Sequence, residues 1–174
     1  MPRVYLGLGS NIDAAANLRL AVRELRRRFG RLKLSPVYQS APLGFDGDDF
    51  LNTVARLDTG LPVEDILLVL DDIHAIAGRR RDQRKLVSRT LDIDLLLYDR
   101  LVVDKPGLRL PRSDVLMYNF VLRPLAELAP GYLHPVTGRR LADHWRDFGS
   151  GSDPDSDRKR DSESHPLTRV SIDL

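Results

Sequence analysis

Two aspartates separated by one residue, Asp92 and Asp94 in SRTLDIDLLL, are the residues of this sequence best placed to do chemistry. On an extended strand, residues two apart leave the same face with Cα atoms about 6.5 Å apart. Leu91, Ile93, Leu95 and Leu97 then point the other way, into a core. Two carboxylates side by side on a half-buried strand repel each other and lose hydration, a cost that a cation between them removes. Mg2+ takes hard oxygen ligands, commonly one or two carboxylates completed by substrate phosphates and water. Spacing alone leaves open that each aspartate faces solvent or pairs with an arginine. Arg89, three residues before Asp92, and Arg79 and Arg81 in the preceding basic stretch favour a site for a metal-bound polyphosphate. Guanidinium forks bind phosphate oxygens through parallel hydrogen bonds and neutralise charge developing on them. The other arginine run, Arg26 to Arg28, reads as a solvated helix face.

The elements that must position these residues follow from periodicity. Val4 to Leu8 reads as a strand, and Gly7-Leu8-Gly9-Ser10-Asn11 as a tight turn that lets the next helix start against the sheet. It lacks the lysine of a Walker motif and the third glycine of a dinucleotide fingerprint. Leu18, Val22, Leu25 and Phe29 recur at helical spacing up to Gly30. A strand around Leu32 to Ser40 is interrupted or edged by Pro36, and a Gly-, Pro- and Asp-rich loop runs from Ala41 to Asp49. Phe50 to Thr59 alternates as a strand with Leu51, Thr53, Ala55 and Leu57 on one face. Pro62 opens a helix with the stripe Val63, Ile66, Leu67, Leu70, Ile73 and Ala77, which Gly78 ends. After the strand Thr90 to Tyr98 come a short apolar piece at Leu101 to Val103 and a Pro-containing loop. A helix follows over Phe120 to Leu128, with its start drawn towards Pro124. A turn at His134 to Gly138 and a short helix over Leu141 to Phe148 complete the pattern. Strands and helices that do not alternate strictly predict an α+β fold: a ferredoxin-like sandwich with helices packed on a mainly antiparallel sheet. Residues 1–148 form the expected catalytic domain, and 149–174, opening with a long Gly-, Ser-, Asp- and Arg-rich stretch, a disordered polar tail.

Composition narrows the chemistry further. The absence of cysteine excludes disulfide scaffolds, thiolate zinc sites and cysteine nucleophiles, so a metal must take oxygen or imidazole ligands. The apolar run after Met1-Pro2-Arg3 is too short for a signal peptide, and no stretch approaches the roughly 20 apolar residues of a membrane helix. A cytoplasmic protein with small-molecule partners, and neither nucleic acid nor membrane, is the expectation.

Taken together, YLGLGSN near the start, SAPLG at Ser40 to Gly44, FLN at Phe50 to Asn52, SRTLDIDLLL and FVLRPLAELAP at Phe120 to Pro130 resemble the 6-hydroxymethyl-7,8-dihydropterin pyrophosphokinase family of folate biosynthesis. The resemblance runs from Val4 to about Phe148. It implies a ferredoxin-like fold and transfer of pyrophosphate from ATP, the co-substrate, to the hydroxymethyl oxygen of a reduced pterin, with release of AMP and the use of two Mg2+ ions. Asp92 and Asp94 would hold the ions, and Arg79 and Arg89 would bind and stabilise the triphosphate during attack at the β-phosphorus. Phe50 and Phe120 would sandwich the pterin ring, Asn52 would hydrogen-bond its amide-like edge, and Ser40 and Leu43 would contribute from the first loop. A flat heterocycle with a polar edge suits aromatic faces and a side-chain amide.

Several nucleotide-handling positions depart from the family pattern. Arg112-Ser113 stand where His-Tyr is usual after the proline, Tyr118 replaces an arginine, and His74 stands for a helix glutamate. Leu86 replaces a tryptophan and Ser88 a proline. Arg112 can still grip a phosphate, Arg109 nearby offsets the missing arginine, and Arg81 completes the expected nucleotide contacts. His74 reads as a helix-surface histidine unable to accept hydrogen bonds as a carboxylate does. A diverged paralogue that binds a pterin without the transfer reaction is the competing reading. An RNA-binding module ranks third, because the aromatic RNP pattern is absent.

Overall fold

The computed structural model describes residues 1–78, 91–148, 150 and 166–174. Its centre is a six-stranded antiparallel sheet built from β1 (Arg3–Ser10), β2 (Lys33–Leu34), β3 (Val37–Ser40), β4 (Phe50–Asp58), β5 (Asp92–Tyr98) and, after a separate two-stranded hairpin β6 (Val103–Lys105) and β7 (Leu108–Leu110), the strand β8 (Thr168–Val170). The order is β5-β1-β4-β3-β8, with β2 also paired to β4. Helices α1 (Ala14–Phe29) and α2 (Val63–Ile76) cover one face; α3 (Asp114–Met117), α4 (Asn119–Leu128) and α5 (Leu141–Arg146) belong to the other. The expected α+β sandwich on a mainly antiparallel sheet is therefore what forms.

Both faces of the sheet are dry over much of their area. Leu18, Val22 and Leu25 of α1 and Ile66, Leu70 and Ile73 of α2 pack on Val4, Leu6, Leu8, Ala55, Leu57 and Ile93. On the opposite face Leu122 and Leu125 of α4 and Leu141 of α5 pack on Tyr5, Val54 and Leu97. The alternation expected of β4 is what forms, with Leu51, Ala55 and Leu57 on the side of α1 and α2 and Val54 on the side of α4, and because both faces are covered Asn52, Thr53, Val54 and Ala55 are all buried. Leu97 departs from the face expected of it. The register shifts between Tyr5 and Leu6, which oppose Leu97 and Leu95, so the intervening Leu96 is an extra residue and Leu97 turns to the face of α4.

Other differences are local. Residues 101–110, read as an apolar piece and a loop, include the hairpin β6–β7, turned at Gly107 with φ 80°. Helix α4 runs through Pro124 from Asn119 rather than starting at the proline. Pro124 gives up its own N–H and crowds the carbonyl of Phe120, a cost that the burial of Leu122, Leu125 and Ala126 offsets. The polar tail expected over 149–174 is corrected at its far end, where β8 pairs Val37 with Val170 and Gln39 with Thr168. Val170, Ile172 and Leu174 alternate with polar residues and pack on the core, while Arg19 and Arg26 donate to the carbonyls of Asp173 and Leu174.

The turn after β7 and the 134–138 turn line one cavity beside α3. His134 is buried, and its Nδ1 accepts the amide N–H groups of Val136 and Thr137, each at 3.3 Å. Burial, and secondarily the adjacent His144 ring, hold its pKa down to about 4 from an ordinary 6.5. Because the folded value is the lower one, the unfolded chain takes up the proton first as pH falls. Stability present above pH 6.5 is then lost on going down to about pH 4, by at most about 3 kcal/mol. Urea denaturation of wild type and His134→Gln at pH 7 and pH 4.5 measures this: the variant should lose less stability between the two pH values.

Candidate active site

The open part of the α4 face is a cavity of about 270 Å³ at the end of β1, β4 and β5. Its floor is shaped by missing side chains. Gly7 lies opposite Asp94 and Val54, and Gly9 opposite Asp92 and Asn52, so the glycines share a face with those residues. A Cβ on Gly7 would come within 3.3 Å of Leu96 Cδ1, and one on Gly9 within 3.3 Å of Asn52 Oδ1. The glycines read as a turn are therefore strand residues that leave room for the Leu96 and Asn52 side chains at the cavity floor; the signal available in the sequence was their two-residue spacing inside an otherwise apolar strand.

Asp92 and Asp94 both line this cavity, on one face of an edge strand, while Ile93 between them is buried in the opposite core. An edge strand leaves alternate amides without a sheet partner. At Ile93 that amide donates to His74 Nε2 at 2.8 Å. His74 is thus not a solvent-facing histidine: its imidazole accepts a hydrogen bond, as a carboxylate in its place could, and it ties α2 to the backbone between the two aspartates. Its replacement by alanine should cost about 1–2 kcal/mol through the stranded amide. His74→Gln, whose carbonyl can accept, should recover most of that in urea denaturation.

The other sequence-derived residues divide clearly. Ser40, Leu43, Phe50, Asn52 and Phe120 all line the same cavity. Asn52 is buried, and its Nδ2 donates to Ser40 Oγ at 2.9 Å and to the Tyr38 carbonyl at 3.3 Å, which leaves its Oδ1 as the acceptor on the side of Gly9. Arg112 lines the cavity as well. Arg109 does not; it lies on β7 opposite Asp104 and lines a neighbouring cavity that meets the first at Arg112. Arg79, Arg81 and Arg89, with Leu86 and Ser88, lie outside the described residues.

Three further residues join the site. Phe45 meets Phe50 edge-on at 6.2 Å between ring centroids, and Tyr118 stacks on Phe120 at 5.1 Å with the rings 15° apart. Asp114 accepts a hydrogen bond from Arg112 Nε at 2.8 Å, while Arg112 Nη2 lies 3.3 Å from Asp94 Oδ1. Burial by itself would weaken the Arg112 guanidinium's hold on its proton, but Asp94, Asp114 and Asp92 together keep its pKa above the ordinary value. Asp114 was visible two residues beyond Arg112; nothing in the local pattern marked Phe45.

Among the described residues no group of three or more His, Cys, Asp or Glu is arranged to hold a metal ion. Two hard carboxylates fit a magnesium ion that takes its remaining ligands from substrate phosphates and water, and do not fit a closed structural site.

Comparison with known proteins decides what this arrangement belongs to. The family model described as 7,8-dihydro-6-hydroxymethylpterin-pyrophosphokinase matches residues 5–130. This chain belongs to that family. It is 41% identical over 143 residues to the 2-amino-4-hydroxy-6-hydroxymethyldihydropteridine pyrophosphokinase of Pseudomonas aeruginosa, covering 80% of this chain and 87% of that one. It is 34% identical over 143 residues to the enzyme of the same name from Aquifex aeolicus, covering 81% and 89%. Among solved structures it is similar to the wild-type HPPK-DHPS of Plasmodium falciparum, with a TM-score of 0.73 at 12% identity over 98% of this chain and 48% of that chain. The wild-type structure with SDX-DHP gives 0.71 at 13% identity over 99% and 48%. The pyrophosphokinase-family chain thus spans about half the length of those solved chains, and at that identity the likeness establishes the fold. No helix among its described residues is long and apolar enough to cross a membrane.

Proposed function

We infer that this chain transfers pyrophosphate from ATP to the hydroxymethyl group of 6-hydroxymethyl-7,8-dihydropterin, releasing AMP. The observation that carries the reading is one cavity with an aromatic and amide-lined end at Phe50, Phe120 and Asn52 and a two-carboxylate end at Asp92 and Asp94, in a chain of this family.

The pterin ring lies between Phe50 and Phe120, with Leu43 along its edge. Asn52 Oδ1 accepts an N–H from the ring, and Ser40 fixes the amide by taking its Nδ2 hydrogen. The acceptor thus belongs to a buried side chain whose rotamer is already set, so little entropy is lost on binding. Asp92 and Asp94 are the residues that would hold magnesium, two ions as the family resemblance implies. When bound, magnesium neutralises triphosphate charge and orients the β-phosphorus. Arg112 lines the same cavity and is available to the phosphates, and Arg79, Arg81 and Arg89 are assigned to the triphosphate by the family pattern. The hydroxymethyl oxygen forms the new bond to the β-phosphorus, the bond from that phosphorus to the α,β-bridging oxygen breaks, and AMP leaves with that oxygen. The hydroxyl proton passes to water. Positioning and charge neutralisation carry such a reaction without a strong general base.

The test is to mix protein, ATP, Mg2+ and the pterin alcohol and follow AMP. One AMP per pyrophosphorylated pterin is expected. Pterin binding without AMP would replace this reading with that of a binding paralogue.

A further inference from the structure

Arg112 lies against the two carboxylates that the proposed function assigns to a divalent cation. Its side chain is held at two points of unequal quality: Nε donates to Asp114 at 2.8 Å, and Nη2 lies 3.3 Å from Asp94 Oδ1. Its backbone is fixed too, because the Arg112 amide donates to the Leu96 carbonyl of β5 at 2.9 Å. The guanidinium therefore has a firm pivot at Asp114 and a looser arm on Asp94. It is partly exposed and stands at the junction of two cavities, so the arm has space into which to turn.

A divalent ion coordinated by Asp94 binds the carboxylate oxygen directly at about 2.0–2.1 Å, which competes for the oxygen that Nη2 faces. Two like charges brought that close repel strongly in a half-buried site. The triphosphate that accompanies the ion offers the displaced guanidinium a new anionic partner, and phosphate accepts from arginine in the same forked geometry as a carboxylate. We propose that Arg112 is a resident counter-cation of the aspartate pair, handed from Asp94 to the nucleotide's phosphates when the metal–nucleotide arrives, with Asp114 as the pivot.

The consequence is a reversal of sign. Arg112 opposes binding of the bare ion and favours binding of the ion together with nucleotide, so the two enter as a unit. This inference rests on the reading of Asp92 and Asp94 as metal ligands, and the test separates the two. Mn2+ is titrated by electron paramagnetic resonance into wild type, Arg112→Gln and Asp92→Asn, alone and with a non-hydrolysable ATP analogue. Arg112→Gln should bind bare Mn2+ about fivefold more tightly and the Mn2+–analogue complex about tenfold more weakly, within the range of a partly exposed charge pair and a charge-assisted phosphate contact. In wild-type protein, nitrogen-15 spectra should show the Arg112 Nη signals moving on addition of Mg2+ and analogue while the Nε–H signal, held by Asp114, stays. If Asp92→Asn abolishes Mn2+ binding but Arg112→Gln leaves bare-ion affinity unchanged, or the Nη signals do not move, the relay is overturned and the metal site stands. If Asp92→Asn leaves Mn2+ binding intact, the metal site itself is lost and the relay with it.

Discussion

Replacing Asp92 by alanine should lower kcat for AMP formation by about a thousandfold or more while leaving the fold intact. The rate effect follows from what the carboxylate is assigned to do. Charge stabilisation by a bound metal contributes several kcal/mol to a transition state, and each 1.36 kcal/mol is a factor of ten. The fold changes little because relief of the repulsion between Asp92 and Asp94 is set against loss of the attraction between Asp92 and Arg112. Asp94→Ala should be equally inactive but less benign, since it also takes away the carboxylate facing Arg112 Nη2. The measurement is kcat at rising Mg2+ alongside a thermal melt. A variant that keeps a tenth of wild-type kcat at ordinary Mg2+ would remove Asp92 from the metal site.

How much of this was legible in the sequence depends on whether the information was local. The helices α1 and α2 follow from apolar spacing and from Gly30 and Gly78, and the same-face placement of Asp92 and Asp94 follows from a period of two. The polar wall formed by Ser40 and Asn52 could be reached only through the family resemblance, because the bond between them joins two strands. What was misread depends on partners distant in the chain. Gly7 and Gly9 look like a turn until β4 and β5 are laid on either side of them. His74 looks like a surface histidine until β5 is found to be an edge with the Ile93 amide facing α2. The last residues look like more tail because the 149–165 composition dominates a short alternating stretch that pairs with β3 more than a hundred residues earlier. The departures from the family pattern also change meaning in three dimensions. His74 accepts a backbone hydrogen bond, and Tyr118 extends the aromatic wall by stacking on Phe120.

The second large effect is expected at Asn52. Alanine there removes the acceptor assigned to the pterin and also the donor that satisfies Ser40 Oγ and the Tyr38 carbonyl, two groups inside the sheet. A site built to hydrogen-bond a polar ligand edge loses far more than one contact when its own polar group is deleted, because the ligand's N–H is then desolvated without a partner. A fall of about a hundredfold in kcat/KM for the pterin, with the Mn2+–nucleotide affinity within about twofold of wild type, is the expected pattern. Asn52→Asp sharpens the assignment. Its carboxylate can still accept from a ring N–H, but it cannot donate to the Tyr38 carbonyl and places an anion against that oxygen, so it should be the less stable variant, by about 1–3 kcal/mol relative to wild type. Its stability should recover at low pH, where a protonated carboxyl can donate again. Steady-state kinetics with pterin varied at saturating ATP, set beside urea denaturation of both variants, checks the whole pattern. If Asn52→Ala leaves kcat/KM for the pterin near wild type, the buried amide is a structural clamp between β3 and β4 and the pterin's polar edge is read elsewhere in the cavity.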